Sequence, residues 1–174
     1  MKKENIIDMY SIYMLRGQNQ NCRDTIADLI IKEIDQLENI NMPGRDGRTL
    51  LHHCCIYNYN NFAGILIKKM NADVNVQDDK GFSPLQFAAH ADNTELVQLL
   101  LENGAQVNQL NKYGNNASFY AHDNWDILKL LIDYRCDIYH KNIGKVSAYA
   151  IISRNPDVLE KLKQYFESTP KPAT

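Results

Sequence analysis

The chain has 174 residues, 44% of them hydrophobic and 23% charged, with a formal net charge of −2. These proportions fit one soluble globular domain and exclude intrinsic disorder, and no apolar run approaches the ~18 residues of a membrane span. With 19 basic against 21 acidic residues, no global positive field is available to hold nucleic acid.

The amino terminus begins Met1-Lys2-Lys3, but Glu4 and Asp8 interrupt what would be the apolar core of a signal peptide, so a cytoplasmic protein is expected. Two amphipathic stretches follow. Ile6, Ile7, Met9, Tyr10, Tyr13 and Met14 precede Gly17, and Ile26, Leu29, Ile30, Ile34 and Leu37 follow Asp24. Their helical spacing predicts a cap pair over residues 1–41.

From residue 42 onward the chain repeats itself. Gly47-Arg48-Thr49-Leu50-Leu51-His52-His53-Cys54-Cys55 aligns with Gly81-Phe82-Ser83-Pro84-Leu85-Gln86-Phe87-Ala88-Ala89 and with Gly114-Asn115-Asn116-Ala117-Ser118-Phe119-Tyr120-Ala121. A weaker fourth copy is read from Gly144 through Ala150. Each copy continues into a second apolar helix pattern, for example Leu96-Val97-Gln98-Leu99-Leu100-Leu101 and Ile127-Leu128-Lys129-Leu130-Leu131-Ile132. Pro84 suits the first turn of a helix, and Ser83 or Thr49 before it can cap the exposed amides. Ala88 and Ala89 are small enough for two helices to approach closely, and Cys54 and Cys55 hold the equivalent places. Gly104 follows its helix where a left-handed residue is needed; Asn71 tolerates that conformation, and Arg135 in the third copy should cost about 1 kcal/mol there. Ala117 and Ser118 replace the expected Pro-Leu, and the third copy is two residues short before its second helix, so its first helix should be truncated. Residues 168–174 hold two prolines and no apolar anchor, and a disordered tail is expected.

This pattern resembles the ankyrin repeat, a unit of about 33 residues with a T-P-L-H-x-A signature. Ser83-Pro84-Leu85-Gln86-Phe87-Ala88 and Thr49-Leu50-Leu51-His52-His53-Cys54 match with substitutions. The resemblance implies an all-α ankyrin-repeat solenoid over residues 42–167, about four repeats with the last degenerate, behind an N-terminal helical cap.

His52-His53-Cys54-Cys55 has the residue types of a metal cluster but not the geometry. Consecutive helical residues point about 100° apart and cannot converge on one ion. The resemblance implies instead that His52 is structural, bonding across neighbouring repeat turns. A Cys–His nucleophile at Cys54 or Cys55 would need an accessible thiolate, whereas packing positions bury it. No phosphate-binding loop, nucleophile elbow or paired-carboxylate motif occurs. A non-catalytic chain with no metal and no cofactor is expected. His90, His122 and His140 read as polar surface residues, and Trp125 as filler at the shortened turn.

The resemblance further implies that hairpin tips and first-helix faces line a concave groove for another protein. Transferred position by position, the candidate contacts are Arg45, Asp46, Arg48, Ile56 and Tyr57, then Asp79, Lys80, Phe82 and His90, then Lys112, Tyr113 and Asn115, then Asn142, Ile143 and Lys145. Phe82 and Tyr113 read as exposed aromatic anchors. Cations outnumber anions among these positions, so the expected partner is a protein with an acidic surface, bound by a monomer that engages neither membrane nor nucleic acid. Asn, Ile, Lys and Tyr are abundant, as in AT-rich genomes. That bias makes an inhibitor or immunity protein one reading of the role, and a host-directed bacterial effector or viral ankyrin adaptor another.

Overall fold

The computed structural model describes residues 39–169. The expected N-terminal cap falls almost wholly outside them, as does the end of the expected tail. Seven helices are described: α1 Leu50–Tyr57, α2 Asn60–Met70, α3 Pro84–His90, α4 Thr94–Glu102, α5 Trp125–Asp133, α6 Ala148–Ile152 and α7 Pro156–Ser168. The only β pairing among the described residues is an isolated bridge between Lys141 and Ser147. The all-α repeat architecture expected from the sequence is therefore present.

The helices form two rows. The inner row is α1, α3, a single 3-10 turn at Ala117–Phe119, and α6; the outer row is α2, α4, α5 and α7, and each element packs on its neighbours along its row and across to its partner. Inner helices are short and meet through small side chains: Cys54, Cys55, Ala88 and Ala89 are all buried. Outer helices bury one stripe each, as Leu96, Val97, Leu100 and Leu101 do in α4 while Gln98 and Glu102 face water. This is the narrow apolar face of an amphipathic helix. One core runs from Leu50 to Cys136 through the first three repeats; a second, built on Phe119, Leu128, Ile138, Ala148, Ile152, Val158 and Leu162, underlies the fourth.

Main-chain bonds across each hairpin tip set the register. They run from Gly44 N–H to Arg48 O, Asp78 N–H to Phe82 O, Asn111 N–H to Asn115 O and Asn142 N–H to Val146 O, at 2.8–3.0 Å. The third residue after each donor is left-handed: Gly47, Gly81, Gly114 and, in the last copy, Lys145, with φ of 71°, 78°, 75° and 59°. The fourth repeat thus corrects the sequence reading by one residue. Lys145, not Gly144, holds the place of the tip glycine, because the bond from Asn142 to Val146 closes the turn there. The residue two places on is the inner N-cap in all four copies: Thr49, Ser83, Asn116 and Ser147. The truncated third helix is as expected, and it begins on the cap Asn116.

Three ladders of polar bonds tie successive repeats. Asp79 N–H donates to Asp46 O, Lys112 N–H to Lys80 O and Ile143 N–H to Tyr113 O, at 2.9, 3.0 and 3.1 Å. At matching places one repeat apart, Asn41, Asn75 and Asn108 each accept from a backbone N–H about 30 residues on (Asp73, Gln106, Asp137) at 2.7–2.8 Å. Asn75 and Asn108 also donate to Gly104 O and Arg135 O. At the fourth repeat the matching position is Tyr139, whose ring packs tilted against Tyr149 at 5.0 Å. At the outer N-caps, Asn93, Asn124 and Asn155 each cap their own helix while donating back to Asn58 and Asn60, to Asp92, and to Asp123 of the preceding repeat. The outer helices end on left-handed Asn71, Gly104 and Arg135, as the sequence indicated.

Candidate protein-binding face

The inner face carries an aromatic cluster centred on Phe82. Its ring lies 5.2 Å from Phe87, 6.2 Å from Tyr113 and 5.5 Å from Tyr120. His90 meets Tyr120 edge-on at 5.8 Å, and His52 meets Phe87 likewise at 5.8 Å. The Arg48 guanidinium sits 5.0 Å above Phe87 and reaches the buried Asp78 carboxylate at 3.4 Å. These are cation–π and ion-pair contacts that hold Arg48 in one posture. Asp78 in turn accepts the Lys80 and Phe82 N–H groups at 2.9 and 2.8 Å, which fixes the tip that presents Phe82.

The sequence-derived residues divide by this cluster. Arg48, Phe82, His90, Tyr113 and Asn115 join it, the last by donating to the Tyr120 hydroxyl at 3.2 Å. Arg45, Asp46, Asp79, Lys80, Lys112 and Lys145 lie exposed along the tips. Tyr57 stands apart, stacked on His53 at 6.3 Å and beside Tyr59 at 6.1 Å. Two expectations need correction. Phe82 is half-buried, because three neighbouring rings cover it; Tyr113, 52% exposed, is the protruding aromatic. His140 is half-buried and its Nε2 lies 3.2 Å from Gly114 O, so it serves the stack rather than the surface. Trp125 is half-buried against Tyr165 at 6.0 Å, as a filler should be.

Phe87 and Tyr120 are face residues that the sequence reading did not single out. They were detectable: the inner N-cap is followed four places on by His53, Phe87, Tyr120 and Ile151, a large half-buried side chain in every copy.

The buried thiols add no nucleophile to this face. Burial drives the Cys54 and Cys55 thiols well above the ordinary range, and burial raises Cys136 to about 11. A thiol so placed stays protonated and is a poor nucleophile. His52 is pushed down to about 4, chiefly by burial, and both its ring nitrogens are engaged. Nδ1 accepts the Thr49 N–H at 3.1 Å and Nε2–H donates to Phe82 O at 3.1 Å. Its role is the structural, repeat-crossing one that the resemblance implied.

Comparison with known proteins gives the same architecture. A family described as ankyrin repeats in three copies matches residues 70–142, and the single ankyrin repeat matches 46–79, together more than half of the chain. The E3 ubiquitin-protein ligase XBAT33 of Arabidopsis thaliana is 43% identical over 58 residues, 32% of this chain and 11% of that protein. Two fowlpox virus (strain NVSL) proteins, both named for ankyrin repeats, are also similar. FPV244 is 35% identical over 105 residues (59% of this chain, 15% of that protein), and FPV031 is 25% identical over 168 residues (87% and 44%). The chain therefore spans less than half the length of each of these relatives, and the ligase name belongs to a protein mostly made of other sequence.

Proposed function

Starting from the fact that this chain belongs to the ankyrin repeat family, whose members are protein-interaction scaffolds, we propose that it is a non-catalytic module docking another protein on its inner face. The observation that carries this reading is the ring cluster of Phe82, Phe87, Tyr113 and Tyr120, with Arg48 clamped beside it. Rigid aromatic and arginine side chains are the usual anchors of protein interfaces. The exposed tip cations Arg45, Lys80, Lys112 and Lys145 favour a partner with acidic character. No helix among the described residues is long and apolar enough to cross a membrane, and the proposed protein acts as a monomer in the cytoplasm.

Within this reading the chain works by occupying its partner, as an inhibitor or immunity-type protein does. The similarity to two fowlpox virus ankyrin repeat proteins favours a viral adaptor as the second reading. The test is affinity capture with the full chain, with the retained protein identified by mass spectrometry and its own activity assayed with and without the chain. Phe82→Ala with Tyr113→Ala should cut retention at least ~10-fold, and undiminished retention would overturn the face assignment. Loss of partner activity on binding marks an inhibitor; unchanged activity marks an adaptor.

A further inference from the structure

The tip ladder pairs side chains of one kind at each junction between repeats. At the first junction Asp79 N–H bonds Asp46 O, so two carboxylates flank one bond. At the second, Lys112 bonds Lys80 and two ammonium groups do the same. At the third, Ile143 bonds Tyr113 and the neighbours are apolar, 75% and 52% exposed. Asp46, Asp79, Lys80 and Lys112 are all exposed, and among the described residues none of the four side chains forms an ion pair. Like charges on neighbouring backbone positions repel. The same four residues, exchanged between junctions, would neutralise each other. The fold does not demand this arrangement, since the bonds are made by main chain alone.

Resting on the docking reading above, we infer that the tips read an extended acidic-centred segment of the partner. Its three determinants are a cation for Asp46/Asp79, a carboxylate for Lys80/Lys112 and an apolar side chain for Tyr113/Ile143. The carboxylate lies in the middle. Packed helices set successive repeats about 10 Å apart, and an extended polyproline II segment advances about 3.1 Å per residue with three residues per turn, so that every third side chain faces the same way. The determinants therefore fall three residues apart: cation-x-x-carboxylate-x-x-apolar, or the same order in the opposite chain direction. Two side chains stand at each junction, and one face of such a segment sets a single side chain against each pair. A helix would need about seven residues per repeat at 1.5 Å rise.

Synthetic fluorescent peptides with Gly/Ser spacers test this at low ionic strength by anisotropy. Lys-x-x-Asp-x-x-Leu and Leu-x-x-Asp-x-x-Lys place the carboxylate centrally; Asp-x-x-Lys-x-x-Leu and Lys-x-x-Leu-x-x-Asp have the same composition in the wrong order. At least one centrally acidic peptide should bind about tenfold tighter than both others. Lys80→Glu with Lys112→Glu should abolish that preference and transfer it to a peptide with Lys at the centre. Equal binding by all orders, tighter binding by a helical peptide with seven-residue spacing, or no binding by any of them, would overturn the inference. If order had no effect while Phe82→Ala with Tyr113→Ala still released the captured partner, this inference would fail and the docking face would stand.

Discussion

His52 and Gln86 are unlike in chemistry yet make the same two bonds at matching places. Each accepts the N–H of its own inner N-cap, Thr49 at 3.1 Å and Ser83 at 3.3 Å. Each also donates across to the next repeat's tip, to Phe82 O at 3.1 Å and Asn115 O at 2.8 Å. Only one neutral tautomer of His52 can do both, with the proton on Nε2 and the lone pair on Nδ1. Protonation at Nδ1 would replace an acceptor with a donor facing another donor. Gln86 does the same work with no titratable group.

That equivalence yields a pH prediction. His52 is held down to about 4, mainly by burial, against about 6.5 in an unfolded chain. Between those values the unfolded chain takes up a proton that the folded one refuses. Its contribution is complete above pH ~6.5 and is lost as pH falls toward 4, with a ceiling of about 3 kcal/mol. His52→Gln should leave urea stability at pH 7 within about 1 kcal/mol and flatten the loss between pH 7 and 4.5 relative to wild type. An unchanged slope in the variant would show that His52 is not the group responsible.

Lys145 occupies a left-handed turn position that glycine holds in the other three repeats. Lys145→Gly should therefore stabilise the chain by about 1 kcal/mol, read as a higher urea midpoint. Gly114→Ala should act in the opposite sense. Its added Cβ would lie 3.0 Å from the Ile143 nitrogen, at φ 75°. A lower midpoint for Lys145→Gly would refute the register assigned to the fourth repeat.

The buried thiols predict silence toward alkylation. Cys54 and Cys55 are 2% and 0% exposed, and burial raises both thiols. Iodoacetamide at pH 8, followed by peptide mapping, should leave both unmodified in the native chain and modify both in urea. Fast native labelling of either would contradict the non-catalytic reading.

Much of the scaffold was legible because it is written by residue types with narrow uses. Ser83-Pro84, the Ala88-Ala89 and Cys54-Cys55 pairs, and the left-handed Asn71, Gly104 and Arg135 each answer a local steric demand that recurs every repeat. The fourth tip was misread for the complementary reason. Gly144 advertises a left-handed turn, but the main-chain bond from Asn142 to Val146 places that conformation one residue later. The half-burial of Phe82 was hidden because it depends on Phe87, Tyr113 and Tyr120, residues 5 to 38 positions away that meet only once the repeats stack. The pairing of like tips was equally invisible, being a property of the junctions and not of any one repeat.

The asparagine ladder through Asn41, Asn75 and Asn108 also determines which stretches of this chain are interchangeable. Residues 75–107 receive at one end the contacts they offer at the other, so a duplicate spliced in after residue 107 would strand none of these amides. A duplicate of 108–138 spliced in after residue 138 would likewise carry its own Asn108–Asp137 bond and leave Tyr139 beside Tyr149. The molecule is thus a modular kit whose two middle parts can each be copied without losing a ladder bond.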